Sequence, residues 1–196
     1  MELRRSELLS IPNLLSYFRI ILIPFFIKAY TNATTPRDFY LAAGIVALSG
    51  ATDLLDGFMA RRFNMITELG KVLDPIADKL TQIAIALVLC SRYRHMIWLV
   101  VLFVVKEFTM GLVSLLLLRR KQRLDGALWY GKVATTVFYL FMTVLIALPS
   151  LPELLIELMI AVVGMFLIFS FVMYSRVFRL MWKIPGEEGA DPSPCE

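Results

Sequence analysis

Residues Phe39–Phe63 read FYLAAGIVALSGATDLLDGFMARRF. The first half is a run of apolar and small residues suited to a helix in hydrocarbon, yet Asp53 and Asp56 fall three residues apart just before the run ends. Charges inside a membrane span are costly and mark a site unless the interface and neighbouring cations satisfy them. Here the neighbouring cations are Arg61, Arg62, Lys71 and Lys79. How this stretch is read decides the fold.

The rest of the chain supports the membrane reading. Of its 196 residues, 59% are hydrophobic and 18% charged, with a mean hydropathy of +0.73, which is too apolar for a soluble domain of this size. A bilayer core of about 30 Å takes roughly 20 helical residues. Six windows qualify: Pro12–Tyr30, Phe39–Arg61, Val72–Arg92, Met96–Leu118, Lys132–Leu148 and Leu154–Met181. The expectation is an all-α integral membrane protein with six transmembrane helices. The first window carries Arg19 and is followed by no small-residue cleavage site, so it is expected to stay as a helix.

Around these spans the chain reads as one membrane-embedded domain over residues 1–184. Residues 1–10, MELRRSELLS, form an amphipathic stretch expected to lie at the interface as a short helix. Residues 185–196, PGEEGADPSPCE, are expected to be a disordered tail. Lysines and arginines divide thirteen to four between the two sides, Lys28, Arg37, Arg92 and Arg94 making the minority. By the positive-inside rule both termini are cytoplasmic. The formal charge of +4 is then a topology signal and an attraction to anionic lipid, and no nucleic acid is needed to explain it. Cys90 and Cys195 make no CxxC, and His95 is the single histidine, so neither zinc nor a disulfide framework is indicated.

The intramembrane carboxylates have a geometry fixed by spacing. Asp53 and Asp56 are three apart and Asp74 and Asp78 four apart, so each pair shares a helix face. The short segment RFNMITELG joins the two spans, which predicts an antiparallel hairpin with all four acids at the cytoplasmic end. Four carboxylates in one low-dielectric place need cations to stay ionised. An all-oxygen donor set suits Mg²⁺, Mn²⁺ or Ca²⁺. Gly57 and Ala60 leave the helix surface beside the acids bare, Arg61 offers a planar fork for a diphosphate, and Gly70 frees the turn into the next helix. Pro75 is expected in that helix's first turn or so. Together these features read as a nucleotide-diphosphate site.

The pattern Asp53-x2-Asp56-Gly57-x2-Ala60-Arg61-x8-Gly70-x3-Asp74-x3-Asp78 resembles the signature of the CDP-alcohol phosphatidyltransferase family at every fixed position. The segment IPNLLSYFRIILIPFF also looks like the first span of the phosphatidylglycerophosphate synthases within it. The resemblance implies two divalent ions, Mg²⁺ or Mn²⁺, on Asp53, Asp56, Asp74 and Asp78, with Asp78 also the base. It further implies that Gly57, Ala60, Arg61 and Gly70 face the CDP moiety, that the enzyme sits in a bacterial inner membrane with its active site at the cytoplasmic face, and that it forms a homodimer. A hydroxyl of an acceptor alcohol would attack the phosphorus bearing diacylglycerol in CDP-diacylglycerol, and CMP would leave.

Lys106, Lys132 and Arg19 are the candidates for contacting the acceptor. Three departures from the resembled pattern bear on it: Lys106-Glu107 stands where Arg-Glu is common, Ser114 replaces an arginine, and Ala134 replaces a lysine. Glycerol 3-phosphate is the expected acceptor, with phosphatidylglycerol, as in cardiolipin synthases, or another alcohol as the alternative. A divalent-metal transporter would explain the acids as well. It would not explain Gly57, Ala60 and Arg61, nor acids at helix ends in place of the midplane.

Overall fold

The computed structural model describes residues 10–62, 67, 69–119 and 128–183, with no side-chain description at 56–58, 60, 61, 71, 118, 119 and 183. The interfacial helix expected before Ser10 and the tail expected after 184 lie outside the described residues. Among the described residues six helices follow one another: α1 (Ile11–Thr31), α2 (Pro36–Arg62), α3 (Gly70–Cys90), α4 (Met96–Arg119), α5 (Trp129–Ala147) and α6 (Glu153–Lys183).

Local chemistry explains where they start. Extended backbone at Ser10 and a proline in the first turn open α1. The second helix begins at Pro36, three residues before the apolar run, because Asp38 Oδ2 accepts the backbone N–H of Thr35 at 2.8 Å and of Thr34 at 3.1 Å. That is one half of a capping box, written in the sequence as Thr35-x-x-Asp38, with the Thr35 hydroxyl donating to the same Asp38 oxygen at 2.9 Å. Thr67 Oγ1 accepts the Gly70 N–H at 2.9 Å and so fixes the entry to α3. Because α3 opens at Gly70, Pro75 falls in its second turn, where the helix does miss a donor.

Among the described residues, five helices are long and apolar enough to cross a membrane. The remaining one, α3, has 21 residues like α1 but carries Lys71, Asp74, Asp78 and Lys79. The exposure pattern shows what surrounds the bundle. Asn13, Ser16 and Arg19 have 0% exposure, whereas Phe108 is 72% and Leu154 81% exposed. Polar groups inside and large apolar groups outside is the distribution for a protein whose solvent is lipid.

The helices close into a ring. Around it, α1 packs on α2, α2 on α5, α5 on α6, α6 on α4, α4 on α3, and α3 again on α1. The hairpin expected from the short α2–α3 connection is corrected here: α2 and α3 scarcely touch, and α1 stands between them. Away from the aspartates, the bundle is filled by Ile85, Leu89, Met96, Met142, Leu145 and Val163, all without exposure. The Phe26, Tyr30 and Phe39 rings close that end.

Candidate active site

The site is built on one stripe of α1. Asn13, Ser16 and Arg19 recur every three residues and point into the bundle, where each finds a partner on a different segment. The Arg19 guanidinium pairs with Asp53 on α2. The Ser16 hydroxyl donates to Asp74 on α3. Asn13 Nδ2 donates to Thr67 Oγ1 at 3.1 Å, in the approach to α3. The wedge that separates α2 from α3 is therefore also what gathers their acids.

Gly70 fits this arrangement sterically. A Cβ there would lie 2.7 Å from Asn13 Oδ1 and 2.9 Å from Thr67 Oγ1, so only a residue without one lets α1 and the α3 entry close together.

Asp78 is held differently from the other two acids. Gln82 Nε2, one turn on, lies 3.0 Å from Oδ1 and 2.9 Å from Oδ2. The Tyr139 hydroxyl on α5 reaches Oδ1 at 3.2 Å, and Lys79 Nζ lies 3.5 Å from Oδ2. Both oxygens are thus fixed, and the carboxylate keeps 15% of its surface open. Asp53, 29% exposed, is within electrostatic reach of both Asp78 and Asp74. The spacing of the acids leads to the expectation of one shared place, and each described aspartate is held by its own partner: Asp53 by Arg19, Asp74 by Ser16 and Asp78 by Gln82 and Tyr139.

Among the described residues, no group of three or more His, Cys, Asp or Glu is drawn tightly enough to hold a metal. The side chains of Asp56, Gly57, Ala60 and Arg61 lie outside the described ones, so the fourth carboxylate does not enter that count. The chemistry of what is described fits a hard divalent cation: the groups at the site are carboxylates beside the Ser16 and Tyr139 hydroxyls, with no thiolate or imidazole.

Beside Asp78 the charges continue toward α4. Lys79 Nζ is 3.2 Å and Lys106 Nζ 2.5 Å from the same Glu107 Oε1. Lys106 and Glu107 form an ion pair, and Lys79 makes it a triad. Lys132 lies on the exposed side of α5, with its carbonyl accepting the Thr136 hydroxyl at 2.9 Å. Arg19, which sequence alone leaves free to reach headgroups, is buried on Asp53.

Ser16, Asn13, Gln82 and Tyr139 were not among the residues expected at the site. The α1 stripe had a readable signal, polar residues at a three-residue interval in an apolar span. Gln82 had the i,i+4 relation to Asp78. Tyr139 had none, since only the packing of α5 against α2 brings it there.

The chain is similar to proteins of known description. The CDP-diacylglycerol–glycerol-3-phosphate 3-phosphatidyltransferase of Escherichia coli (strain K12) is 38% identical over 131 residues, covering 65% of this chain and 71% of the relative. The enzymes of the same description from Escherichia coli O157:H7 and Shigella flexneri serotype 5b (strain 8401) give the same figures. The match to the CDP-alcohol phosphatidyltransferase family spans residues 9–175, from the α1 stripe through the aspartates to α6, and the chain belongs to that family of transferases.

Proposed function

We propose that the protein transfers the phosphatidyl group of CDP-diacylglycerol to glycerol 3-phosphate, forming phosphatidylglycerophosphate and releasing CMP. The observation that carries this reading is Asp78, its two oxygens held by Gln82, Tyr139 and Lys79. The named relatives use glycerol 3-phosphate by their description.

In the reaction, an acceptor hydroxyl oxygen bonds to the phosphorus that carries diacylglycerol, the bond from that phosphorus to the CMP oxygen breaks, and Asp78 takes the hydroxyl proton. Two divalent ions, Mg²⁺ or Mn²⁺, would be held by Asp53, Asp56, Asp74 and Asp78 and neutralise the pyrophosphate. Gln82 and Tyr139 keep the Asp78 carboxylate in one orientation, which matters because much of phosphoryl-transfer catalysis is positioning. Arg19 and Ser16 do the same for Asp53 and Asp74. Gly57, Ala60 and Arg61 on α2, with Gly70 at the turn into α3, form the wall for the CDP moiety by the family pattern.

The charge distribution supports an active site at the cytoplasmic face of a bacterial inner membrane, with both termini on that side. A homodimer is the assembly proposed with it. Purified protein given CDP-diacylglycerol and one alcohol at a time is expected to release CMP fastest with glycerol 3-phosphate. CMP release that needs phosphatidylglycerol and ignores glycerol 3-phosphate would replace this acceptor. Absence of CMP release with every alcohol would remove the transferase reading.

A further inference from the structure

The end of the bundle remote from the aspartates carries a polar cavity that plays no part in the proposed transfer. It holds about 240 Å³ and is lined by Tyr30 and Thr31 at the end of α1, by Ala33, by Phe39 in the first turn of α2, and by Ser91 and Arg92 just after α3. We infer that this cavity binds a phosphate group, that of a phospholipid headgroup or free phosphate, with Arg92 as its cation and the Tyr30 hydroxyl as a second donor. The site is independent of the acceptor and of the phosphatidyl transfer.

Arg92 is presented for an anion. Its guanidinium carbon lies 5.2 Å from the centre of the Phe39 ring, so the ring takes the flat face of the group and leaves the edge, where the N–H donors are. One of those donors reaches the Pro149 carbonyl at 3.4 Å. Among the described residues Arg92 makes no ion pair. Asp38, the acid in the first turn of α2, is turned to the Thr34 and Thr35 backbone instead.

Tyr30 is the second, independent observation. Its ring is packed on Phe26 and Phe39, with centroids 6.1 and 5.7 Å away, and the residue is 5% exposed. The hydroxyl is buried and has no hydrogen-bond partner among the described residues. Buried polar groups are nearly always partnered, so an orphan hydroxyl in a cavity wall calls for an acceptor from outside the chain. Arg92 is the cation within its electrostatic reach. The other hydroxyls of the wall are spent on their own helices: Thr31 Oγ1 donates to the Ile27 carbonyl at 2.8 Å and Ser91 Oγ to the Val88 carbonyl at 2.7 Å.

Two helices end at this cavity, and bare carbonyls there would repel an anion. They are taken. The Asn32 and Ala33 N–H groups donate to the Lys28 and Tyr30 carbonyls, each at 3.2 Å, and those of Arg92 and Tyr93 to the Leu89 carbonyl at 3.1 and 2.9 Å. Thr31, Ser91 and Arg92 are exposed, so the cavity opens outward. Its volume falls below the roughly 300–1,000 Å³ of pockets for drug-sized ligands, which suits an anion of headgroup size.

The test is thermal unfolding of the purified full chain in detergent, titrated separately with inorganic phosphate, with phosphatidylglycerol and with diacylglycerol of the same chains. Each variant is read against its own ligand-free Tm, so a change in basal stability does not enter. A phosphate-bearing probe is expected to raise the wild-type Tm saturably. Its apparent Kd should weaken roughly ten- to a hundredfold in Arg92→Gln and roughly tenfold in Tyr30→Phe, which keeps the ring. Saturation by inorganic phosphate alone would support a free anion as the ligand, and a response confined to phosphatidylglycerol would support a lipid headgroup. An equal apparent Kd in Arg92→Gln and wild type would put the binding elsewhere and overturn the inference. So would no shift from either phosphate probe, or a shift from diacylglycerol as large as from phosphatidylglycerol. If Arg92→Gln does not fold, Tyr30→Phe decides alone, and an unchanged Kd in it overturns the site.

Discussion

The Tyr139 hydroxyl on α5 donates to Oδ1 of Asp78 on α3 across 3.2 Å, while its ring lies against the backbone of α2 at Gly50, where a Cβ would come within 3.4 Å of it. One side chain thereby sets α2 and α3, which scarcely touch, at a fixed spacing around the proposed base.

Tyr139→Phe keeps the ring and removes the donor. A hydrogen bond to a charged group contributes about 1.5–3 kcal/mol, and Gln82 still holds both oxygens, so kcat is expected to fall roughly tenfold, at the low end of that range. The KM for CDP-diacylglycerol should change by less than about twofold. Steady-state CMP release reads both. An unchanged kcat would mean that Gln82 alone orients Asp78.

Arg19→Ala should destabilise the fold strongly, since it strands Asp53 beside a fully buried void. Breaking a fully buried ion pair from one side costs about 3–5 kcal/mol, which is the upper bound here because Asp53 keeps 29% of its side chain exposed. Removing the charge on the other side as well, in Arg19→Ala with Asp53→Asn, is expected to recover part of that loss. Thermal unfolding in detergent is the measurement, and a double variant no better than Arg19→Ala would show that the guanidinium serves chiefly other partners.

For Gly70→Ala the prediction is steric. The new methyl would meet Asn13 Oδ1 and Thr67 Oγ1 below 3 Å, and overpacking of that kind costs about 1–3 kcal/mol. Shortening the opposing side chain by Asn13→Ala in the same protein should return some of the stability. Equal melting temperatures for Gly70→Ala and wild type would show that α1 can yield there.

Chelation tests the proposed ions. Excess EDTA should abolish CMP release, and Mg²⁺ or Mn²⁺ should restore it. Asp78→Asn should lower kcat by orders of magnitude while CDP-diacylglycerol still binds, because three carboxylates remain; Asp56→Asn should weaken metal and donor binding together. Full turnover in EDTA would contradict the metal assignment.

Much of this protein is readable from its sequence because lipid imposes a simple rule on it. Hydropathy places all six helices to within a few residues, and the errors have local causes: Asp38 starts α2 early by capping Thr34 and Thr35, which a hydropathy window does not register. For Asp74 and Asp78 the i,i+4 spacing within one helix is what the sequence offers, since it puts both on one face. What escapes is the relation between helices. A short connection suggests that α2 and α3 are neighbours, yet α1 intervenes, and only then do Ser16 and Arg19 become the partners of Asp74 and Asp53. Lys79 reads in sequence as one neutralising cation among several, and its place between Asp78 and Glu107 depends on the packing of α3 on α4. Tyr139 carries no mark at all.

The wedge of α1 between α2 and α3 also bears on biogenesis. In the chain, α3 is the span least able to partition into lipid unaided, with Asp and Lys each costing about 2.5–3.5 kcal/mol at the centre of an inserting helix. It leaves the ribosome after α1, which carries Ser16, the partner of Asp74 on α3. The first helix thus acts as a receptor for the third. A circular permutant that opens the chain between α1 and α2 and synthesises α1 last would present α3 to the translocon without that receptor. Glycosylation mapping of such a permutant is expected to find α3 left outside the bilayer, although every contact in the finished ring would be the same.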